Sequence, residues 1–199
     1  AVGAFAGLAQ SNIKQLLAYS SIGNMGYAMI GLVVASKAGS ASMLAYLVIY
    51  MVMTVGVFGI LMMLSRQSVI ITSLNDFAGL VKQHPFEAYA MAILMFSMAG
   101  IPPLAGFFGK LFIFQAAVAE QFYLLAILGV ITSVISACYY LRVIKIMFFD
   151  EIELKFDRVQ SPVNKAIVFA SLIFILGFIF EPNILYSLCS SAVNSIFAL

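Results

Sequence analysis

The sequence predicts an all-α fold, a polytopic transmembrane helix bundle with one discontinuous, proline-broken helix. Three observations carry that reading. Of 199 residues, 64% are hydrophobic and 9% charged, against about 25% charged in soluble domains, which excludes an ordinary water-soluble fold. The charges are spaced so that uncharged stretches recur at lengths suited to a hydrocarbon layer, which needs about 20 helical residues. The middle of one such stretch holds Pro102-Pro103, which no regular helix accommodates. A net charge of +2 leaves no basic footprint for nucleic acid.

Residues 1–13 are uncharged and too short to cross a bilayer. They lack a signal peptide's basic leader and read as the end of a truncated transmembrane helix, so the chain is expected to be the C-terminal part of a longer protein. From 14 to 199 it reads as one membrane domain of about five transmembrane helices. The first covers 15–36. The second, 41–65, begins after a Gly39-Ser40 turn. The third, 88–119, contains the single interior charge Lys110 and as a straight helix would reach about 50 Å, too long for one crossing. Its prolines remove backbone donors and clash with the preceding turn, so it breaks at 100–106. The fourth, 121–149, runs past its uncharged part as Arg142 and Lys145 snorkel toward the interface. The fifth is 163–181. The mixed-sign run 142–165 reads as a solvated cytosolic loop, and the apolar C-terminal tail lies at the interface or covers a neighbour.

Charge placement decides whether the broken helix crosses once or folds back as a half-depth hairpin. With one crossing, Lys14, Arg66, Lys82, Arg142, Lys145, Lys155, Arg158 and Lys165 fall on one face and Lys37 alone on the other. A hairpin would scatter that bias, which orients membrane proteins. One broken crossing follows, with the C-terminus on the non-cytosolic side.

Irregular backbone at membrane depth survives only inside protein or beside water, so Gly100, Pro102, Pro103 and Gly106 mark a site candidate, with Lys110 beside it. Burial penalises the charged form of a lysine, which makes such a group able to pass protons on. The plain alternatives are that Lys110 snorkels or pairs with Glu120, or that the break is a packing kink. Lys14, opening the first complete span, reads on spacing as an interfacial anchor. Gly23, Gly26 and Gly31 favour close helix packing, and Ser20, Ser21, Asn24 and Tyr27 read as polar glue or a water path toward Lys110. His84, before Pro85, reads as a surface histidine, and Cys138 and Cys189 as inert core residues with no zinc-ligand spacing. No nucleophile triad or phosphate loop appears, and no metal site is expected.

Three stretches resemble one family. Asn12-Ile13-Lys14-Gln15-Leu16-Leu17-Ala18-Tyr19-Ser20-Ser21, followed by Gly26-Tyr27, resembles the D/N-I-K-R-x-L-A-Y-S-S signature of antiporter-like subunits of proton-pumping NADH:quinone oxidoreductase, respiratory complex I. Asp76-Phe77-Ala78-Gly79-Leu80, His84-Pro85 and Ser97-Met98-Ala99-Gly100-Ile101-Pro102-Pro103-Leu104-Ala105-Gly106-Phe107-Phe108-Gly109-Lys110 are similar to its D-L-x-G-L and S-L-A-G-I-P-P-x-x-G-F-x-G-K motifs. Tyr139-Tyr140-Leu141-Arg142 through Phe148 looks like the end of its penultimate helix. Around Tyr46 to Gly59 the lysine of the H-A-x-F-K helix is missing, which resembles the N-type subunits rather than the L and M types or Mrp antiporters.

The resemblance implies two inverted helix repeats in the full subunit, each with a broken helix, this chain holding the second. It implies that Lys110 is the lysine proposed to exchange protons with the outer face, and that Lys14 matches the motif lysine and is the second proton-translocation candidate, with Gln15 replacing the usual arginine. It implies membrane-arm partners in the bacterial inner membrane or the mitochondrial inner membrane, and proton translocation driven by NADH oxidation and quinone reduction elsewhere. NADH, FMN, iron-sulfur clusters and quinone are then expected in partner subunits, with no cofactor bound by this chain. The other readings are an Mrp-type cation/proton antiporter subunit and a structural membrane scaffold.

Overall fold

The computed structural model describes residues 1–66, 69–70, 72–151, 157–158 and 161–197. After the short α1 (Val2–Leu8), the Asn12 side chain accepts from the amides of Lys14 and Gln15 and starts α2 (Ile13–Val33), satisfying two of the donors a helix start leaves open. Ser36 does the same for α3 (Lys37–Met63) by accepting from the Gly39 amide. The turn read at Gly39-Ser40 is therefore helix. Gly39 is there for packing, since a Cβ on it would lie 2.5 Å from the Gly31 carbonyl of α2.

Next come a 3-10 turn at Asn75–Phe77, α4 (Leu80–Gln83), α5 (Pro85–Ala99), α6 (Ala105–Ala119) and α7 (Tyr123–Phe149). The chain continues with α8 (Pro162–Gly177), capped by Ser161, and α9 (Asn183–Ile196). Helices α2, α3 and α7 are long and apolar enough to cross a membrane, and α5, α6 and α8 are shorter apolar helices. The fifth span expected at 163–181 thus has its helix end at Gly177, and most of the tail forms α9, which packs on α3 and sets Tyr186 4.9 Å from the Phe112 ring of α6.

A small antiparallel sheet, unforeseen from sequence, joins two loops. β1 (Leu64–Arg66) lies between β2 (Val69–Ile70) and β3 (Asp157–Arg158), pairing Ser65 with Ile70 and Leu64 with Arg158. Strands of two and three residues are too short to write a period-two pattern.

Contacts with two neighbours settle the path of the broken helix. Along α3, Ser42 donates to the Phe112 carbonyl, Tyr46 lies against Gly109, and Gly56 lies against Leu94. Along α7, Gly129 lies against Phe114, Ser133 meets Lys110, and Phe148 meets Tyr89. As each neighbour advances, the partner's residue number falls throughout. A hairpin would reverse that order at the break. Helices α5 and α6 are therefore stacked end to end in one discontinuous rod, matched over about 28 Å of α7 rise from Gly129 to Phe148.

Arg142 donates to the Leu8 carbonyl at 3.0 Å and to that of Gln10, tying α7 to the carbonyl-rich end of α1. Two expectations are corrected. His84 is buried, because α4 and α5 pack on each other through its corner. Cys138 is exposed on α7 and Cys189 half-buried, so neither is a core residue.

Candidate functional site

Gly100 ends α5 in the left-handed region at φ 86°, where glycine alone is unstrained. This leaves the last carbonyls of α5 without helical partners. Lys110, on the second turn of α6, fills them. Its Nζ donates to the Met98 carbonyl at 2.9 Å, the Ala99 carbonyl at 3.3 Å and Ser133 Oγ of α7 at 2.9 Å. An ammonium has three N–H donors, and all three have acceptors. The α5 macrodipole adds to the fit, since its negative end faces the cation. Beneath the amine lies the Tyr27 ring of α2, 5.1 Å to its centroid, within cation–π range.

Lys110 is only 5% exposed, and Ser133 sits three residues, about 5 Å, from the midpoint of α7. The amine is thus held near mid-depth of the bundle. Glu120, considered as its partner, is exposed at the far end of α6. On the other side of the break, the Gly106 amide at the start of α6 donates to Ser97 Oγ at 3.0 Å. A Cβ on Gly106 would overlap the Ser97 carbonyl, so the half-helices touch backbone to backbone here. Pro102 and Pro103 are exposed on the linker and shape it without contributing a ligand atom. A cavity of about 420 Å³ adjoins the amine, lined by Gly100, Phe107, Phe114, Ser133 and Val134.

Of the four polar residues singled out on α2, Ser20 and Asn24 join one buried hydrogen-bonded chain. Tyr46 OH of α3 donates to Asn24 Oδ1 at 2.6 Å, Asn24 Nδ2 donates to Ser20 Oγ and to Tyr140 OH of α7 at 3.1 and 3.2 Å, and Ser20 Oγ bonds Tyr140 OH. Tyr27 links this chain to Lys110 through its ring, edge-on to Tyr46 with centroids 6.4 Å apart, and its own buried hydroxyl has no partner. Ser21 faces aside to Tyr50 OH at 2.7 Å. Lys14 stands apart from the cluster, exposed on the first turn of α2.

Sequence reasoning missed Tyr46, Ser133, Ser136 and Tyr140. The signal was present as two polar stripes in apolar helices: Tyr46, Tyr50 and Thr54 at four-residue spacing on α3, and Ser133, Ser136 and Tyr140 at i, i+3, i+7 on α7. Tyr46→Phe is expected to leave Asn24 Oδ1 buried without its donor and to cost about 1–3 kcal/mol, read as a lower thermal midpoint of the assembled protein.

The family model described as "NADH:quinone oxidoreductase/Mrp antiporter, TM" matches residues 1–136. NADH-quinone oxidoreductase subunit N of Rhodospirillum rubrum is 43% identical over 195 residues, 98% of this chain and 40% of that protein. A chain of respiratory complex I from Thermus thermophilus superposes with a TM-score of 0.82 at 32% identity, covering 94% of this chain and 42% of that one. A chain of the Mrp complex from a Dietzia species shares the fold, with a TM-score of 0.84 at 18% identity over 98% of this chain and 45% of that one. The chain spans about 40% of the length of the curated relatives it matches. On the match to two-thirds of its residues, this chain belongs to the NADH:quinone oxidoreductase/Mrp antiporter transmembrane family.

Proposed function

We propose that the chain is the second-repeat portion of a membrane-arm subunit, of the N type, in a proton-pumping NADH:quinone oxidoreductase. The observation that carries this is the Lys110 ammonium seated near mid-depth on the open end of α5, with all three donors taken. Two of its acceptors are carbonyls, which can only accept. Ser133 is a hydroxyl, able to accept from the ammonium and to donate to the neutral amine by rotating. Ser133 is therefore the partner through which Lys110 loses and regains a proton, on the side facing the cavity. Tyr27, Tyr46, Asn24, Ser20 and Tyr140 extend the polar route away from that cavity. The orphan hydroxyls of Tyr27 and Ser136 are points where a carrier water would bond.

In this reading Gly100, Pro102, Pro103 and Gly106 build the seat, and Lys14 anchors α2 at the membrane surface. The lipid bilayer and neighbouring membrane-arm subunits are its partners. NADH, FMN, iron-sulfur clusters and quinone lie in other subunits, where the redox energy is released. The likeness to complex I subunits supports a bacterial inner membrane or mitochondrial inner membrane location, and the charge bias supports a C-terminus on the non-cytosolic side.

The test uses the full-length subunit in its host membrane. Deleting it is expected to abolish NADH-driven proton movement, and restoring it to bring that back, while Ser133→Ala is expected to slow pumping about threefold or more with assembly unchanged. Cation/proton exchange without NADH or quinone would instead mark an Mrp-type antiporter, and unaltered pumping by both Ser133→Ala and Lys110→Ala a scaffold.

A further inference from the structure

At the opposite end of α5 from Lys110 lies a second buried ionisable side chain that the site above does not use. Glu87 is 3% exposed, and its Oε2 has no hydrogen-bond partner. Among the described residues no ion pair reaches it. The elements packed on α5 bring several charges: Lys82 of α4, exposed; Arg142 of α7, bound to the carbonyls of Leu8 and Gln10; Lys145, paired with Asp150; and Lys165 of α8, half-buried. The other titratable group of this corner, His84, is buried one turn ahead on the same chain. Burying a carboxyl without a counter-charge is costly unless it carries a proton or sits where negative charge is favoured. Glu87 lies in the first turn of α5, the positive end of the helix, so neither form is excluded there.

Position gives it a direction. Residues 87, 91, 94 and 98 share one face of α5, and Met91, Leu94 and Met98 are all fully buried. Leu94 lies against Gly56 of α3, and Met98 lines a cavity of about 10 Å³ with Ser21, Tyr50 and Thr54. That is about the size of one water, and the Thr54 hydroxyl beside it is buried without a partner. Met98 also supplies the carbonyl that holds Lys110. The same helix face thus runs from a buried carboxyl with one oxygen unpartnered, across the apolar pair Met91 and Leu94, to a polar water-sized hole next to the lysine seat.

We propose that Glu87 is a second proton-binding group of this chain, loading protons at the cytosolic end of α5 for delivery past Met91 and Leu94 to the Thr54, Tyr50 and Ser21 hole and so to Lys110. This rests on the proton-translocation reading above. The dry stretch separates the two groups until water enters it, so Glu87 fills and Lys110 empties on different sides.

The test is made in the assembled complex. Glu87→Gln is expected to lower protons moved per electron about tenfold with quinone reduction retained, and Glu87→Asp to restore a measurable part of it. In the wild type, a lipophilic carbodiimide, which adds to protonated carboxyls in apolar surroundings, is expected to leave its adduct on the peptide carrying Glu87. Wild-type pumping by Glu87→Gln overturns the proposal, and if that variant fails to assemble, absence of the adduct overturns it. Loss of pumping in Lys110→Ala with normal pumping in Glu87→Gln sinks this inference alone. Normal pumping in both sinks the translocation reading beneath it.

Discussion

Lys110→Ala in the full-length, assembled complex is expected to lower protons moved per electron about tenfold or more, since a positioned acid–base group typically contributes about 10²–10⁴-fold, while the complex still assembles. The deletion frees the carbonyls of Met98 and Ala99 and the Ser133 hydroxyl from their shared donor, and the adjoining cavity of about 420 Å³ gives solvent room to satisfy them. Structure is thus spared where proton exchange is not. Lys110→Arg separates charge from exchange: guanidinium keeps the charge but does not surrender its proton in proteins, so this variant should assemble and still fail to pump. The measurement is NADH-driven acidification set against quinone reduction in the same vesicles. Equal ratios in wild type and Lys110→Ala would remove the lysine from the mechanism.

Gly106→Ala is expected to do the reverse, losing the assembled complex before any question of pumping arises. Its new Cβ would occupy the position of the Ser97 carbonyl, and backbone cannot rotate aside as a side chain does. Overpacking typically costs about 1–3 kcal/mol, more where backbone must shift, and the shift here would also lengthen the bond from the Gly106 amide to Ser97 Oγ. The amount of intact complex in native gels measures this. Ser97→Ala, which removes that bond without adding bulk, should be milder, and a wild-type level of Gly106→Ala complex would show that the half-helices do not meet as closely as described.

Much of this arrangement was readable from residues alone. The composition excluded water-soluble folds, and Pro102-Pro103 required an interruption because the lost donors and the steric clash are local to those residues. Lys110 could be picked out because a charge amid apolar residues is costly wherever the chain takes it. What the sequence could not convey was the identity of its partners. Two of the three are carbonyls of Met98 and Ala99, and a carbonyl's availability depends on where a helix stops, which Gly100 decides through its backbone angle. The third, Ser133, is more than twenty positions away, and no local pattern pairs one serine with one lysine. Tyr46 and Tyr140 likewise matter through what α2 brings between them. His84 was misplaced for a similar reason, since a histidine before proline looks like a loop residue until α4 is seen to close over it.

Gly100 and Lys110 are locked together in one further sense. A Cβ at position 100 would sit 3.2 Å from Lys110 Cδ and 3.3 Å from its Nζ, so a larger residue there strains the left-handed backbone and presses on the amine, which must give by a few tenths of an ångström. The residue that stops one half-helix thereby also sets the clearance for the cation carried by the other, so the seat is tuned from both sides of the interruption.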